Sequence, residues 1–217
     1  MADDLTARIK KLEQDLAERR AECDSLGSML EKSNNQAHTF YNISKVIAAT
    51  NNLQAMIPEI IGYISKSINF ERVSFYLIDE RREKLKLRYA KGLPVADAVS
   101  ICIGEGLPGR IVELGEHSHV HDLATFYETF NDFIHLPGEE KRDGAYIGIA
   151  LKSKNNAIGV IGIDSPIKLG LSVEDMDFLA LTSHQISSGI EKSKLFARTE
   201  ELAQLDGLKG LYNYRVF

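Results

Sequence analysis

The first 36 residues place apolar side chains at alternating spacings of four and three. The resulting seam consists of Leu5, Ile9, Leu12, Leu16, Cys23, Leu26 and Leu30, with Arg19 in its one polar position. This repeat predicts a coiled-coil helix over residues 1–36. Because an isolated helix of this polarity is only marginally stable in water, we expect the seam to pair with a second copy of the chain, giving a homodimer. A single solvated helix is the alternative.

Two amphipathic helices are predicted at the start of a globular region that begins at Ala37. Their apolar residues have helical spacing and comprise Phe40, Ile43, Val46 and Ile47 in the first helix and Leu53, Ile57, Ile60, Ile61 and Ile64 in the second. Asn51 and Asn52 separate the two stripes. We therefore expect each helix to bury one face.

Beyond residue 70 the hydrophobic period falls to two, which is typical of strands. Six segments are predicted as strands, at 72–79, 84–90, 99–103, 117–121, 145–152 and 157–164. A short helix is expected at 110–114. A long helix is expected from Ser172 to about residue 205, since Ser172 and Asp175 have the spacing of a capping box. Strands with helices at both ends of the chain predict an α+β fold.

Composition and charge narrow the function classes. The 217 residues carry a net charge of −5. Nucleic-acid-binding proteins usually carry a basic excess, so no nucleic acid is expected as a partner. The longest apolar runs are far shorter than the roughly 20 residues of a membrane helix, so no membrane partner is expected. The N-terminus lacks the pattern of a signal peptide, and two cysteines do not make a disulfide framework, so we expect a cytoplasmic protein.

The ordered pieces of the globular region resemble a GAF domain. They are the strand at 70–79, the glycine turn at 103–112, the strand and closing aspartate at 115–122, the hairpin at 145–151 and 158–164, and the start of the last helix at 171–175. The resemblance covers residues 37–195. It implies a six-stranded antiparallel sheet with terminal helices on one face, where these domains often dimerise, and a small-molecule pocket on the other face.

The last twelve residues, 206–217, resemble the opening of a GGDEF domain. Lys209 replaces the usual Thr of that motif, and Tyr214 replaces its first Arg. No Gly-Gly-Asp/Glu-Glu-Phe stretch occurs in the 217 residues. We therefore interpret 196–217 as a linker helix with the truncated start of a GGDEF-like domain. The resemblance implies that a full-length parent could be a diguanylate cyclase, whereas this chain is not expected to be an enzyme.

Catalytic and cofactor motifs of related families are not matched. A GAF subfamily reduces free methionine sulfoxide with cysteines near its pocket, but here Cys102 lies in an apolar strand, where an inert buried thiol is expected. Of the cyclic-nucleotide signature that the family implies, Asp175 alone is matched. A bilin would need a cysteine followed by His, but Ile103 follows Cys102. The sequence therefore names no cofactor.

Three histidines alternate along one predicted strand. His117, His119 and His121 would point to the same face, as side chains two residues apart do in a strand. Alternating histidines can bind zinc or iron or respond to pH. Exposed or hydrogen-bonded histidines near a sheet edge need no metal, and we expect no metal site here.

Aromatic side chains suggest where a ligand would bind. Phe126, Tyr127, Phe130 and Phe133 have helix-like spacing and predict a lid with one aromatic side. The opposite wall is predicted to contain Tyr76, Tyr146, Gly148 and Gly162, and His121 is included among the candidate ligand-binding residues. The alternative is that the rings fill a small core under a long loop and that the glycine allows close backbone packing.

Together these patterns predict a regulatory sensor. We expect an unknown small-molecule ligand to bind under the aromatic lid and to shift the dimeric helices, so that the long C-terminal helix passes the change to a diguanylate-cyclase-type output. One alternative is a GAF domain that binds no ligand and only holds two chains together. The other is a free-methionine-sulfoxide-reductase-type enzyme.

Overall fold

The computed structural model describes residues 2–79, 84–93, 100–129 and 143–208, with side chains described from residue 8 to residue 202 within these ranges. The helices are α1 (Ala2–Ala49), α2 (Leu53–Ser67), α3 (Gly106–Leu114), α4 (Leu123–Thr129) and α5 (Val173–Leu208). The strands are β1 (Arg72–Ile78), β2 (Lys84–Lys91), β3 (Ser100–Cys102), β4 (Ser118–Val120), β5 (Ala145–Ser153) and β6 (Asn156–Ser165).

The six strands form one antiparallel sheet in the order β3-β2-β1-β6-β5-β4. The central strands β1, β5 and β6 are buried along most of their length. This burial explains why their sequences are nearly continuous apolar runs, whereas β2 alternates between exposed and buried positions. The α+β fold predicted from the sequence, a six-stranded antiparallel sheet flanked by helices, is confirmed.

One face of the sheet packs against α1, α2 and α5 and forms the larger core. Its buried members include Ile43, Ile57, Ile60, Ile61, Ile64, Phe75, Leu77, Ile147, Ile149, Ile161, Ile163, Leu179, Ile186 and Ile190. Each apolar side chain of this size contributes about 1.5–3 kcal/mol when it is fully buried. The three long helices are therefore held to one side of the sheet, and the other face is left for a second cluster.

The described side chains in the N-terminal part of α1 are exposed to solvent. Every described side chain before Lys32 is exposed, including the seam residues Ile9, Leu12, Leu16, Leu26 and Leu30, whose exposed fractions lie between 50% and 64%. Helix α1 continues without a break past residue 36, so the predicted domain boundary falls inside it. In the part of the chain that the structure describes, no helix is both long and apolar enough to cross a membrane.

Helices α1 and α5 run side by side in the same direction. Lys32 of α1 is 3.1 Å from the Asp175 carboxylate near the start of α5. Ser44 donates a hydrogen bond to Gln185 at 2.9 Å. Lys192 donates to the backbone carbonyls of Ile47 and Ala48 at 3.0 and 3.1 Å, at the end of α1. Because residue numbers rise together in both helices, the chain enters the domain at one end of this pair and leaves at the other.

Candidate ligand site

The face of the sheet opposite the long helices carries a second hydrophobic cluster with α3 and α4. Its buried members are Tyr76, Leu85, Ile101, Ile111, Val112, Val120, Leu123, Tyr127, Tyr146, Ala150 and Val160. Alternation along β1 explains the division, because Phe75 and Leu77 face the helices while Tyr76 faces this cluster. This is the face on which the resemblance implies a small-molecule pocket.

Three of the candidate tyrosines lie in this cluster. Tyr76 is fully buried, and Tyr127 and Tyr146 are nearly so. Phe126 packs partly buried against the same cluster, with its ring centroid 6.1 Å from that of Tyr127 in an edge-to-face arrangement. The sequence therefore identified four rings that do come together. The other two rings of the predicted lid, Phe130 and Phe133, lie outside the described residues.

Helix α4 is positioned by the aspartate that precedes it. Asp122 accepts hydrogen bonds from the backbone N–H of Ala124 at 3.1 Å and from the Thr125 hydroxyl at 3.0 Å, as an N-cap residue does. Lys168 forms an ion pair with the same carboxylate at 2.9 Å. The hydrogen bond from Lys168 holds the pKa of Asp122 below its usual value. This cap fixes the helix that carries Phe126 and Tyr127.

Strand register arranges the rest of this face in three rows. The first contains Arg72, Asp164, Tyr146 and Val120, the second Ser74, Gly162, Gly148 and Ser118, and the third Tyr76, Val160 and Ala150. In the middle row, two adjacent glycines therefore lie between Ser74 and Ser118, and the row continues beyond Ser74 to Ala90 of β2. Sequence reasoning did not include Ser74, Ser118 or Asp164, because their alignment depends on the pairing of strands that are distant in the chain.

The side chains of Tyr146 and Ile111 fill the space above the two glycines. A Cβ atom on Gly148 would contact the Ile111 side chain and lie 2.8 Å from the Tyr146 ring. A Cβ atom on Gly162 would lie 2.7 Å from the Tyr146 phenolic oxygen. Gly148 and Gly162 thus form a slot in the sheet that the ring of Tyr146 occupies. Gly148 was predicted to face a ligand, and in the structure the space above it is filled by side chains of the protein itself.

The glycine turn at 104–109 packs α3 against β3. Gly104 and Gly106 have positive φ angles of 87° and 62°, which favour glycine. A Cβ atom on Gly109 would lie 2.6 Å from the carbonyl oxygen of Cys102. Helix α3 begins at Gly106, earlier than the predicted 110–114, because Pro108 is tolerated in a first helical turn. The turn holds Ile111 over the slot.

The histidines lie on the other side of β4. His119 is between Ser118 and Val120 and points away from the cluster, and its Nε2 is 2.9 Å from the carbonyl oxygen of Leu171. His121 is exposed, and its ring lies against that of His119, with the centroids 4.1 Å apart and the ring planes tilted by 53°. Within the described ranges, no group of three His, Cys, Asp or Glu side chains could hold a metal ion.

His117 has a structural hydrogen bond. Its Nδ1 accepts a hydrogen bond from the backbone N–H of Ala150 at 3.2 Å. His117 directly precedes Ser118, the first residue of β4, which pairs with Gly148. The pKa of His117 lies below its usual value because partial burial disfavours the charged ring, and the nearby positive charges of Lys152 and His184 lower it further. The imidazole therefore takes the place of a backbone carbonyl at the edge of β5.

Cys102 is exposed, contrary to the expectation of a buried thiol. It is the last residue of the edge strand β3, where Ile101 points into the cluster and its neighbours point to solvent. Cys23, in the exposed part of α1, is also a free thiol. Neither cysteine belongs to the tyrosine cluster.

Part of the chain is similar in sequence to a known regulatory protein. Nif-specific regulatory protein of Azospirillum lipoferum is 27% identical over 141 residues, which are 64% of this chain and 22% of that protein. The chain thus spans about a fifth of the length of this relative.

Two solved structures share the fold. The GAF domain of an Acinetobacter phosphoenolpyruvate-protein phosphotransferase superposes with a TM-score of 0.63 at 23% identity, covering 74% of this chain and 95% of that one. Free methionine-R-sulfoxide reductase of Neisseria meningitidis, solved with its substrate, has a TM-score of 0.62 at 21% identity, covering 74% and 90%. The model of the GAF domain family matches residues 50–191, more than half of the chain, and the chain therefore belongs to the GAF domain family.

Proposed function

We propose that this chain is a ligand-sensing regulatory module that controls an output domain through dimeric helices. The observation that carries the proposal is the division of β5. Tyr146 of this strand lies in the tyrosine cluster, while the neighbouring Ile147 and Ile149 pack into the core that contains α5. A ligand that moves Tyr146 would thus act on a strand that supports the outgoing helix.

The slot favours a flat ligand. It is lined by two glycines and covered by the ring of Tyr146. The Ser74 hydroxyl lies next to Gly162, and Ser118 is the strand partner of Gly148. A planar ring could take the place of the Tyr146 ring and receive hydrogen bonds from the serines at its edges. In this proposal Tyr146 is a plug that rotates out when the ligand binds, and Phe126 and Tyr127 cover the ligand. His121 lies against His119 and is not included in this proposal.

Three contacts of successive α5 residues support a route to the output. Glu191 accepts a hydrogen bond from Ser153, the last residue of β5. Lys192 binds the carbonyls at the end of α1, and Ser193 donates to the carbonyl of Asn51 at 2.5 Å. Ser193 is also the last buried residue of α5 among those whose side chains the structure describes, which end at residue 202. A shift in β5 would therefore reach α5 at the point where it leaves the domain.

A parallel homodimer is part of the proposal. The seam residues of α1 are exposed in the single chain, and α5 exposes Leu181, Leu195 and Leu202 at intervals that are multiples of seven. Heptad spacing on both helices favours a two-stranded coiled coil.

We further propose a cytoplasmic location, on the basis of the charged composition, and no nucleic acid or membrane as a partner.

For the output we propose a diguanylate-cyclase-type domain, with no catalytic role for this chain itself. The support is the likeness of 206–217 to a GGDEF opening, of which 209–217 lie outside the described residues. The similarity to Nif-specific regulatory protein favours a second candidate, in which the same module is part of a regulatory protein of that kind.

A thermal-shift assay tests the ligand proposal. The probes are purines, pyrimidines, indole and the aromatic amino acids, and at least one should raise the melting temperature of the wild-type protein. At 100 times its Kd, a ligand stabilises the fold by about 2.7 kcal/mol. Ser74→Ala should weaken the response, whereas Ser65→Ala, an exposed serine of α2, should leave it unchanged. If no probe or copurified compound binds, the ligand-free dimerisation module is the better description. Reduction of free methionine sulfoxide would favour the enzyme.

A further inference from the structure

A groove between α1 and α2 lies on the opposite side of the domain from the tyrosine cluster. It encloses about 420 Å³, which is within the range of small-molecule sites. Helix α1 contributes Asn35, His38 and Asn42, which lie three and four residues apart on one side of that helix, and α2 contributes Tyr63 and Lys66. The groove is thus bordered by one polar stripe from each helix.

The floor of the groove is polar and internally satisfied. The hydroxyl groups of Thr39 and Ser67 are 2.6 Å apart and hydrogen-bonded. Thr39 is buried, with 4% of its surface exposed, and the Ser67 hydroxyl also lies 3.4 Å from the backbone carbonyl oxygen of Asn35. The hydrogen bonds at the floor hold the two helices together, so the side chains at the rim remain to contact a ligand.

The rim presents hydrogen-bond donors. The Asn42 side-chain amide donates to Nδ1 of His38 at 2.9 Å. A neutral imidazole that accepts at Nδ1 carries its proton on Nε2 and is a donor there. The Lys66 ammonium lies 4.8 Å from the centre of the Tyr63 ring, in a cation–π contact. In the part of the chain that the structure describes, Lys66 forms no ion pair with a carboxylate, and none of the residues that line the groove is acidic.

A lysine ammonium group with N–H donors beside it and no carboxylate in the lining is typical of a site that binds an oxyanion. We propose that the α1–α2 groove binds a small organic anion through a carboxylate or phosphate group. Lys66 and the Nε2–H of His38 bind the charged oxygens, Asn35 and Asn42 bind polar groups of the rest of the molecule, and Tyr63 holds the lysine in place.

The consequence is a second input to the same helix. An anion that contacts both helices would link α1 to α2 close to the point where α1 enters the domain. It would oppose any motion that separates the two helices. The groove and the tyrosine cluster lie on opposite faces of the sheet, so one site can be present without the other.

Calorimetric titration tests this site on the full chain. The probes are inorganic phosphate, glucose 6-phosphate and citrate, each added at constant ionic strength. We expect saturable binding of at least one probe. Lys66→Gln should weaken that binding about tenfold or more, the effect of losing one charge-assisted contact. Lys45→Gln is the matched control, because Lys45 also lies over a tyrosine ring, that of Tyr41 at 5.7 Å, but does not line the groove.

Each outcome decides the proposal. Binding of the phosphates alone or of citrate alone identifies the anionic group, and binding of both supports a general oxyanion site. The proposal is overturned if no probe binds at concentrations up to roughly 10 mM, beyond the weak end of specific affinities. It is also overturned if Lys66→Gln binds as tightly as the wild type while its circular dichroism spectrum and melting temperature show a folded protein.

Discussion

Gly148 and Gly162 are paired across β5 and β6, and the ring of Tyr146 lies over both of them. Two adjacent glycines in the middle of a buried sheet are costly for strand stability unless the space above them is used. Here the ring of Tyr146 and the side chain of Ile111 use it. The stability of the fold and the proposed entry of a ligand thus depend on the same few atoms.

Gly148→Ala should destabilise the protein. The new methyl group would overlap the Ile111 side chain and come within 2.8 Å of the Tyr146 ring. Overpacking of this kind costs about 1–3 kcal/mol, which urea unfolding followed by circular dichroism would measure.

Gly62→Ala is the matched control for that substitution. Gly62 lies in α2, and a Cβ atom there would meet no other atom within 4 Å. Alanine in a helix is more favourable than glycine by about 1 kcal/mol, so this variant should be as stable as the wild type or more so. Equal losses in the two variants would show that the slot is not tightly filled.

The oligomeric state should depend on the α1 seam. Light scattering is expected to give about 48 kDa, twice the 24.2 kDa of one chain. Leu12→Asp combined with Leu16→Asp should shift the protein towards monomer, because each of the two helices would place two charges in an apolar interface. Gln14→Asp combined with Ala21→Asp adds the same charge at positions outside the seam and should leave the dimer intact. A monomeric wild type at tens of micromolar would contradict the dimer.

Lys192→Met should loosen the end of α1. The substitution keeps the apolar part of the side chain but removes the donor to the carbonyls of Ile47 and Ala48. Since the ammonium is exposed, we expect a loss of about 0.5–1 kcal/mol, together with faster amide hydrogen exchange in the last turn of α1. Lys45→Met, whose ammonium lies over the Tyr41 ring, should not change that exchange. Unchanged exchange in Lys192→Met would remove Lys192 from the proposed route.

Stability should fall as the pH drops below about 6.5. The pKa of His117 is lower in the folded protein than in the unfolded chain, so its stabilising contribution is fully present above the unfolded value. That contribution is lost as the pH falls towards the folded value, because the unfolded chain binds the proton first. His117→Gln retains an acceptor for the N–H of Ala150 and should flatten this part of the stability profile. Parallel profiles for the two proteins would exclude His117 as the cause.

The sequence predicted which side chains of a strand share a face, but it did not predict which residues of the neighbouring strands lie beside them. Alternation separated Phe75 from Tyr76 correctly, because a strand has a period of two whatever it pairs with. The row that joins Ser74 to Ser118 was not predictable in this way, since it requires β1, β6, β5 and β4 to be in register. The same limit applies to His121 and Cys102, because alternation gives the spacing of side chains but not which face is covered.

The parallel run of α1 and α5 bears on how such a protein is assembled. Because α1 and α5 are parallel, the chain runs in the same direction before and after the domain, and the sheet lies to one side of these two helices. A unit of this kind could be spliced into a long two-stranded rod, or removed from it, without turning the chain back on itself. The length of the unit along the rod would then set both the distance and the rotational phase between the segments on either side.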